Sequence, residues 1–150
     1  MRLFAALTLS LLTVACGSQS SSSSDDFNNI VVTFPDGLKI DAEVVSKNED
    51  MARGLMFRES LAPDHGMLFI HGGEGKYPYW MFNCNFPIDI IWMDHNRHVV
   101  EISANTPPCK DKNPNNCPTY GGHEIAFYVL EVGAGVAAKN KVGVGDTLSF

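Results

Sequence analysis

From residue 30 onward, apolar and polar positions follow a strand-like rhythm broken by short turns. Ile30-Val31-Val32-Thr33-Phe34 reads as a strand, Pro35-Asp36-Gly37 as a hairpin turn, and Leu38 to Val45 as the returning strand. Leu38, Ile40, Ala42 and Val44 alternate with Lys39, Asp41 and Glu43, which gives this strand one wet face. Ser46 followed by Glu49 has capping-box spacing and predicts a short helix running to about Arg53 and stopping at Gly54. Strands are expected again at Gly66 to Ile70, Tyr79 to Phe82, Pro87 to Met93 and His98 to Ser103, with Asp94 to Arg97 as the turn joining the last two. Thr106 to Gly122 reads as a long loop, Ile125 to Val132 as a buried strand, Gly133 to Lys141 as a second short helix, and Asp146 to Phe150 as a closing strand. The predicted fold is mainly β with two short helices, a compact, mostly antiparallel sandwich or partly closed barrel spanning residues 30–150.

Before this domain the pattern changes twice. Leu3 to Ala15 is a nearly unbroken apolar run behind Met1-Arg2, too short to span a bilayer but fitting the hydrophobic region of an export signal. It ends at Leu12-Thr13-Val14-Ala15-Cys16, which resembles a bacterial lipoprotein signal, cut before the cysteine so that Cys16 becomes lipidated. Residues 1–15 are therefore read as a signal peptide and 16–29 as the lipidated cysteine with a tether of Gly-Ser-Gln, a serine run and two aspartates, too polar to pack. Acyl chains at about 0.8 kcal/mol per buried methylene would hold the protein to a bilayer, so the expected location is a membrane facing the periplasm or the cell exterior. The absence of Asp after Cys16 points to the outer membrane in a host that has one.

Composition narrows the field. With 45% hydrophobic residues and 150 positions the chain supports one cored domain, and a net charge of −6 argues against a nucleic-acid partner. No phosphate-binding loop, dinucleotide fingerprint, HExxH or GxSxG occurs, so no cofactor and no metal is expected, and an enzyme is the less favoured reading.

An exported setting favours oxidised cysteines. Cys109 and Cys117 flank Lys-Asp-Lys-Asn-Pro-Asn-Asn, and a disulfide there would close a loop of about nine residues, worth roughly 2–3 kcal/mol. Pairing of Cys84 with either partner stays open on the residues alone. A zinc set of Cys109, Cys117 and His123 with His95 or His98 matches none of the compact structural zinc spacings.

Asp89 and Glu131 interrupt apolar strand faces: Asp89 shares a side with Ile91 and Met93, Glu131 with Phe127 and Val129. Carboxyls so placed need a cation or several donors, or their pKa must rise. Arg53 and Arg58, flanking Gly-Leu-Met-Phe, are the expected partners. Three readings follow. The acids and arginines hold the fold; or they line a cleft with Trp80, Asn83 and Tyr120 that takes a small polar, carbohydrate-like ligand; or Asp89 and Glu131 act as the acid and base of a hydrolase.

Taken in order, Arg53-Gly54-Leu55-Met56-Phe57-Arg58, Gly66-Met67-Leu68-Phe69, Trp80-Met81-Phe82-Asn83, Pro87-Ile88-Asp89-Ile90-Ile91, Pro107-Pro108-Cys109, Cys117-Pro118-Thr119-Tyr120, Tyr128-Val129-Leu130-Glu131 and Gly145-Asp146 resemble the domain-of-unknown-function 192 family. The resemblance covers about Ile30 to Phe150. It implies a small, β-rich, often exported domain whose polar signature falls on Arg53, Arg58, Asn83, Asp89, Tyr120 and Glu131. It also implies that the two-cysteine loop is a disulfide and not a metal site, and that Cys84 stands where Thr is more usual. It brings no established reaction or ligand. The expectation carried forward is a non-catalytic, lipid-anchored binding domain, with a structural or interaction module as the alternative.

Overall fold

The computed structural model describes residues 28–150; the signal-peptide reading of 1–15 and nearly all of the tether lie outside the described residues. The chain opens with the expected hairpin, β1 (Asn29–Thr33) and β2 (Lys39–Val45), turned at Gly37, whose φ of 91° suits glycine. Helix α1 (Asn48–Arg53) follows and ends where Gly54 takes a φ of 46°. The capping box does not form: the N-cap is Lys47, with no side-chain cap bond, and Glu49 and Asp50 instead place negative charge in the first turn.

Strand β3 (His65–Gly75) is longer than expected and lies parallel to β2, because α1 and the segment after it carry the chain back to the end where β2 began. The sheet is therefore mixed, and mostly antiparallel as expected, with β2–β3 as its one parallel pairing. Its remaining strands are β5 (Ile88–Met93), β6 (Val99–Thr106) and β8 (Ala126–Gly133), in the order β1-β2-β3-β8-β5-β6. A separate ribbon pairs β4 (Tyr79–Trp80) with β7 (Thr119–Tyr120), and α2 (Val136–Lys139) follows β8. The sheet is not closed into a barrel. Residues 146–150 make no full strand, only single bridges from Ser149 to Thr33 and from Thr147 to His98. The Cys109–Cys117 disulfide is present and brackets one turn of 3-10 helix, Pro114–Asn116.

Every residue of β5 is buried, because its two faces feed two different cores. Ile91 and Met93 join Val32, Ile40, Leu68, Leu130 and Leu148 on one side; Ile88, Ile90 and Trp92 join Met67, Phe69, Met81 and Val129 on the other. The ribbon closes over Trp92, whose indole donates to Tyr77 O at 2.8 Å. Gly121 makes that approach possible: a Cβ there would lie 2.4 Å from the Trp92 ring.

Asp89 is fully buried on the first face and is not held by arginine as expected. Its Oδ1 accepts from the backbone amides of Asn105 (2.8 Å) and Gly135 (3.1 Å), and its Oδ2 from that of Ala137 (2.9 Å). One carboxylate thus fixes the end of β6 and the start of α2 to the central strand. Charge-assisted bonds are stronger than neutral ones, and each buried amide orphaned costs about 1–3 kcal/mol. Asp89→Ala should therefore lose about 3 kcal/mol or more in a urea titration, and Asp89→Asn, which keeps one acceptor, distinctly less. A loss below about 1 kcal/mol for the alanine variant would remove Asp89 from this role.

Candidate functional site

Sheet register places Glu43 beside Met67 and Met67 beside Glu131, so two carboxyls flank one methionine across β2, β3 and β8. They sit on the face covered by α1 and the loop Gly54–Arg58. Arg58 reaches back from that loop and forks onto Glu43, Nη1 to Oε1 at 2.5 Å and Nη2 to Oε2 at 2.6 Å. The planar guanidinium suits this bidentate contact. Glu131 lies deeper. Burial pushes its carboxyl up to about 8, against the pull of the Arg58 charge. Around it, burial together with the Glu131 charge pushes the Cys84 thiol up to about 12 and raises the Tyr79 phenol. Cys84 is therefore held as a neutral thiol.

The covering loop is pinned in an uncommon backbone shape. Phe57 has a φ of 64° yet is 66% exposed, and its amide donates to the carbonyl of Asn83, itself at φ 54°. A bulky residue in the left-handed region is strained, and such strain persists only where the surroundings hold it. Asn85 adds a bond from its side-chain amide to Arg58 O at 2.8 Å. The result is a cleft of about 290 Å³ whose walls carry Arg53 and Arg58, the Asp50 carboxylate, and the apolar surfaces of Met56, Phe57 and Met67. A narrow crevice of about 20 Å³ under the end of α1 reaches Glu131 and Cys84 and leads toward Tyr79 and Trp80. Beyond it lies an open aromatic groove of about 270 Å³.

The structure thus gathers Arg53, Arg58, Trp80 and Glu131 around the two sides of α1. Asn83 holds the loop through its carbonyl and lines a neighbouring hollow with Lys110 and Asp111. Tyr120 pairs with Tyr79 across the ribbon and packs on the core behind the groove. Asp89, adjacent in register to Val132, is on the opposite face from Glu131. The sheet separates the two acids, so they cannot flank one scissile bond, which overturns the hydrolase pairing. The zinc set does not assemble either. Cys109 and Cys117 are joined to each other, His123 bonds Glu101, His98 bonds Asp94, and His95 packs on Phe127. Glu43, Asp50, Phe57 and His71 were not singled out by the sequence. Glu43 looked like one more residue of a wet face, and its arginine partner is distant in the chain.

These features define a small mixed-sheet domain with a polar cleft beneath a strained loop. The family model DUF192, described as an uncharacterized ACR, matches residues 31–150, and the chain belongs to that family. Among solved structures, it is similar to a protein of unknown function from Novosphingobium aromaticivorans DSM 12444, at 29% identity over 83% of this chain and 85% of that one, with a TM-score of 0.70. It is also similar to a protein from Sinorhizobium meliloti 1021 described as a putative transcription regulator, at 28% identity over 82% and 94% of the two chains, with a TM-score of 0.71. No functionally curated protein matches it.

The buried carboxyl has a measurable consequence. Between the ordinary value of 4.5 and about 8, folded Glu131 keeps a proton that the unfolded chain has released. Stability contributed there falls as pH rises, by up to about 1.4 kcal/mol per pH unit, and levels off above the folded value. His71 works in the other direction, since burial holds it at about 4 against 6.5 in the open chain, so it lowers stability as pH drops through that range. The interval from about 6.5 to 8 lies above the His71 range, and comparison with a Glu131 variant assigns the slope there. Denaturant titrations should show stability declining across it, and Glu131→Gln should flatten the decline. An unchanged slope in that variant would show that the proton is held elsewhere.

Proposed function

We propose that this chain is a non-catalytic binding module of the bacterial cell envelope, tethered through lipidated Cys16, that takes a small, hydroxyl-rich, carbohydrate-like ligand in the Arg53–Arg58 cleft. The observation that carries this reading is the mixed lining of the cleft. Guanidinium groups donate, the Asp50 carboxylate accepts, and Met56, Phe57 and Met67 supply apolar walls for the carbon faces of a sugar. The charges of Arg53 and Arg58 are matched by those of Asp50 and Glu43, which favours a neutral ligand over an anion. Support for a non-catalytic role comes from two groups a reaction would use: burial keeps the Cys84 thiol from ionising to a nucleophilic thiolate, and Asp89 is spent on backbone amides. The envelope location rests on the Leu12 to Cys16 signal and the polar tether behind it. No helix among the described residues is long and apolar enough to cross a membrane.

One observation favours the second reading, an accessory module whose charged network only holds the fold. The Arg58–Glu43 fork ties the covering loop to β2 and would do so with or without a ligand.

Thermal unfolding of the full chain against neutral sugars, cell-wall fragments and nucleotides separates the two. A ligand at 100 times its Kd adds about 2.7 kcal/mol, a rise of several degrees for a domain of this size. A sugar-induced rise that Arg53→Gln abolishes is expected, whereas no shift with any sugar would leave the accessory module as the better account. For the anchor, the mature N-terminal peptide should begin at an acylated Cys16 in mass spectrometry. Export of Cys16→Ser to the same membrane fraction as the wild type would refute it.

A further inference from the structure

On the other side of α1 from the polar cleft, the aromatic groove is built differently. Trp80 is 40% exposed, although it is fixed from behind by Phe82 and by pairing of β4 with Thr119. Tyr77 lies flat on the His71 imidazole, ring centres 3.5 Å apart and planes within 2°. The His71 Nε2 meets the Tyr79 hydroxyl at 3.2 Å, which leaves a fixed polar pair between aromatic faces. No side chain lining the groove carries a charge at neutral pH: His71 is kept neutral by burial, and its neighbours there are Tyr77, Pro78, Tyr79 and Trp80 with Met51 and Ala52 at the rim.

A rigid aromatic face beside a neutral hydrogen-bonding pair matches one side of a pyranose ring, whose C–H face is apolar and whose hydroxyls lie at its edge. An apolar peptide would use the aromatic walls but leave the imidazole–phenol pair facing nothing polar. Position adds a second argument. The crevice under α1 shares Arg53 and Gly54 with the polar cleft and Tyr79 and Trp80 with the groove, so the two depressions adjoin. At about 20 Å³ the crevice has room for about one water-sized group, so a ligand in both would cross at the rim over Arg53.

We infer that the groove is a second subsite that seats a sugar ring against Trp80, so that cleft and groove together hold at least two units of a neutral oligosaccharide. This rests on the sugar-binding reading of the cleft and extends it to the length of the ligand. Occupancy of two subsites makes a disaccharide bind more tightly than either ring alone, and the gain resides in Trp80.

The chain has two tryptophans, and Trp92 is fully buried, so ligand-dependent fluorescence reports on Trp80. The full chain, in a detergent without a sugar headgroup, would be titrated with N-acetylglucosamine and N,N′-diacetylchitobiose, with glucose and maltose, and with a proline-rich peptide as a contrasting occupant. One of the disaccharides is expected to bind about tenfold or more tightly than its own monosaccharide, equivalent to about 1.4 kcal/mol, and to change Trp80 emission. Trp80→Ala should bring that disaccharide down to the affinity of its monosaccharide. Equal affinities for both lengths, undisturbed by Trp80→Ala but lost in Arg53→Gln, would overturn the second subsite and leave the cleft reading standing. Absence of binding by all four sugars would overturn both, and a Trp80 response to the peptide alone would replace the sugar with a peptide ligand. Should Trp80→Ala fail to fold, the two indole N–H resonances of the wild type decide the matter. The Trp80 signal must move with the disaccharide at concentrations at which the monosaccharide leaves it in place; a signal that the disaccharide leaves unmoved at saturation would overturn the second subsite.

Discussion

The central strands of this sheet must be buried on both faces, and the described residues include very little helix with which to bury them. Strand β5 is buried throughout and β8 at five of its eight positions, while the helices span only six and four residues. Short helices and loops bury little apolar area of their own, so they need polar anchors to stay in place. On one face the anchor is the Asp89 carboxylate, which gathers amides from the end of β6 and the start of α2. On the other it is the Arg58–Glu43 fork together with the Phe57 amide on the Asn83 carbonyl. The depressions at the candidate site are what remains where this second cover fits over the sheet.

The same logic explains why the two buried acids differ. Asp89 is short and meets three backbone amides that cannot move away, so both of its oxygens are paired by its surroundings. Glu131 faces an apolar core with Tyr79 and Cys84 nearby and a guanidinium whose fork is already engaged by Glu43. A carboxyl in such a setting is more stable protonated, because desolvation outweighs the remaining attraction. Two residues that look alike as interruptions of apolar strands thus do different work: Asp89 anchors backbone on one face, and Glu131 holds a proton on the other.

That difference marks how far the sequence could be read. Alternation identified most of the strands, the two unusual carboxyls and the neighbours with which each shares a strand face, since a two-residue period is a local property; that those faces lie on opposite sides of the sheet depended on how the strands pair. The family resemblance extended over the same span that the family model matches. The partner of Asp89 was not legible, because backbone amides carry no residue signature and any acceptor-hungry turn presents them. The parallel placement of β3 depended on the path of residues 54–64, which have no periodicity to read. Glu43 was hidden by its regular place on a wet face, and the capping-box spacing at Ser46 misled because Lys47 took the cap position. Of the proposed binding residues, Arg53, Arg58, Trp80 and Glu131 converge in space, and Asp89 does not.

The path of the last residues bears on how the molecule is made. Thr33 and Ser149 exchange both backbone hydrogen bonds, at 2.8 and 3.0 Å, and Leu148 is wholly inside the core that the first hairpin begins. Arg97 clasps the Phe150 carbonyl at 2.7 Å and lies over its ring. Contacts that join the two ends of the domain carry a large loop-closure cost, which slows the search for the native state. The first hairpin therefore waits for residues 146–150 before its core is complete, so the edge of the sheet where the chain begins is finished by the residues made last.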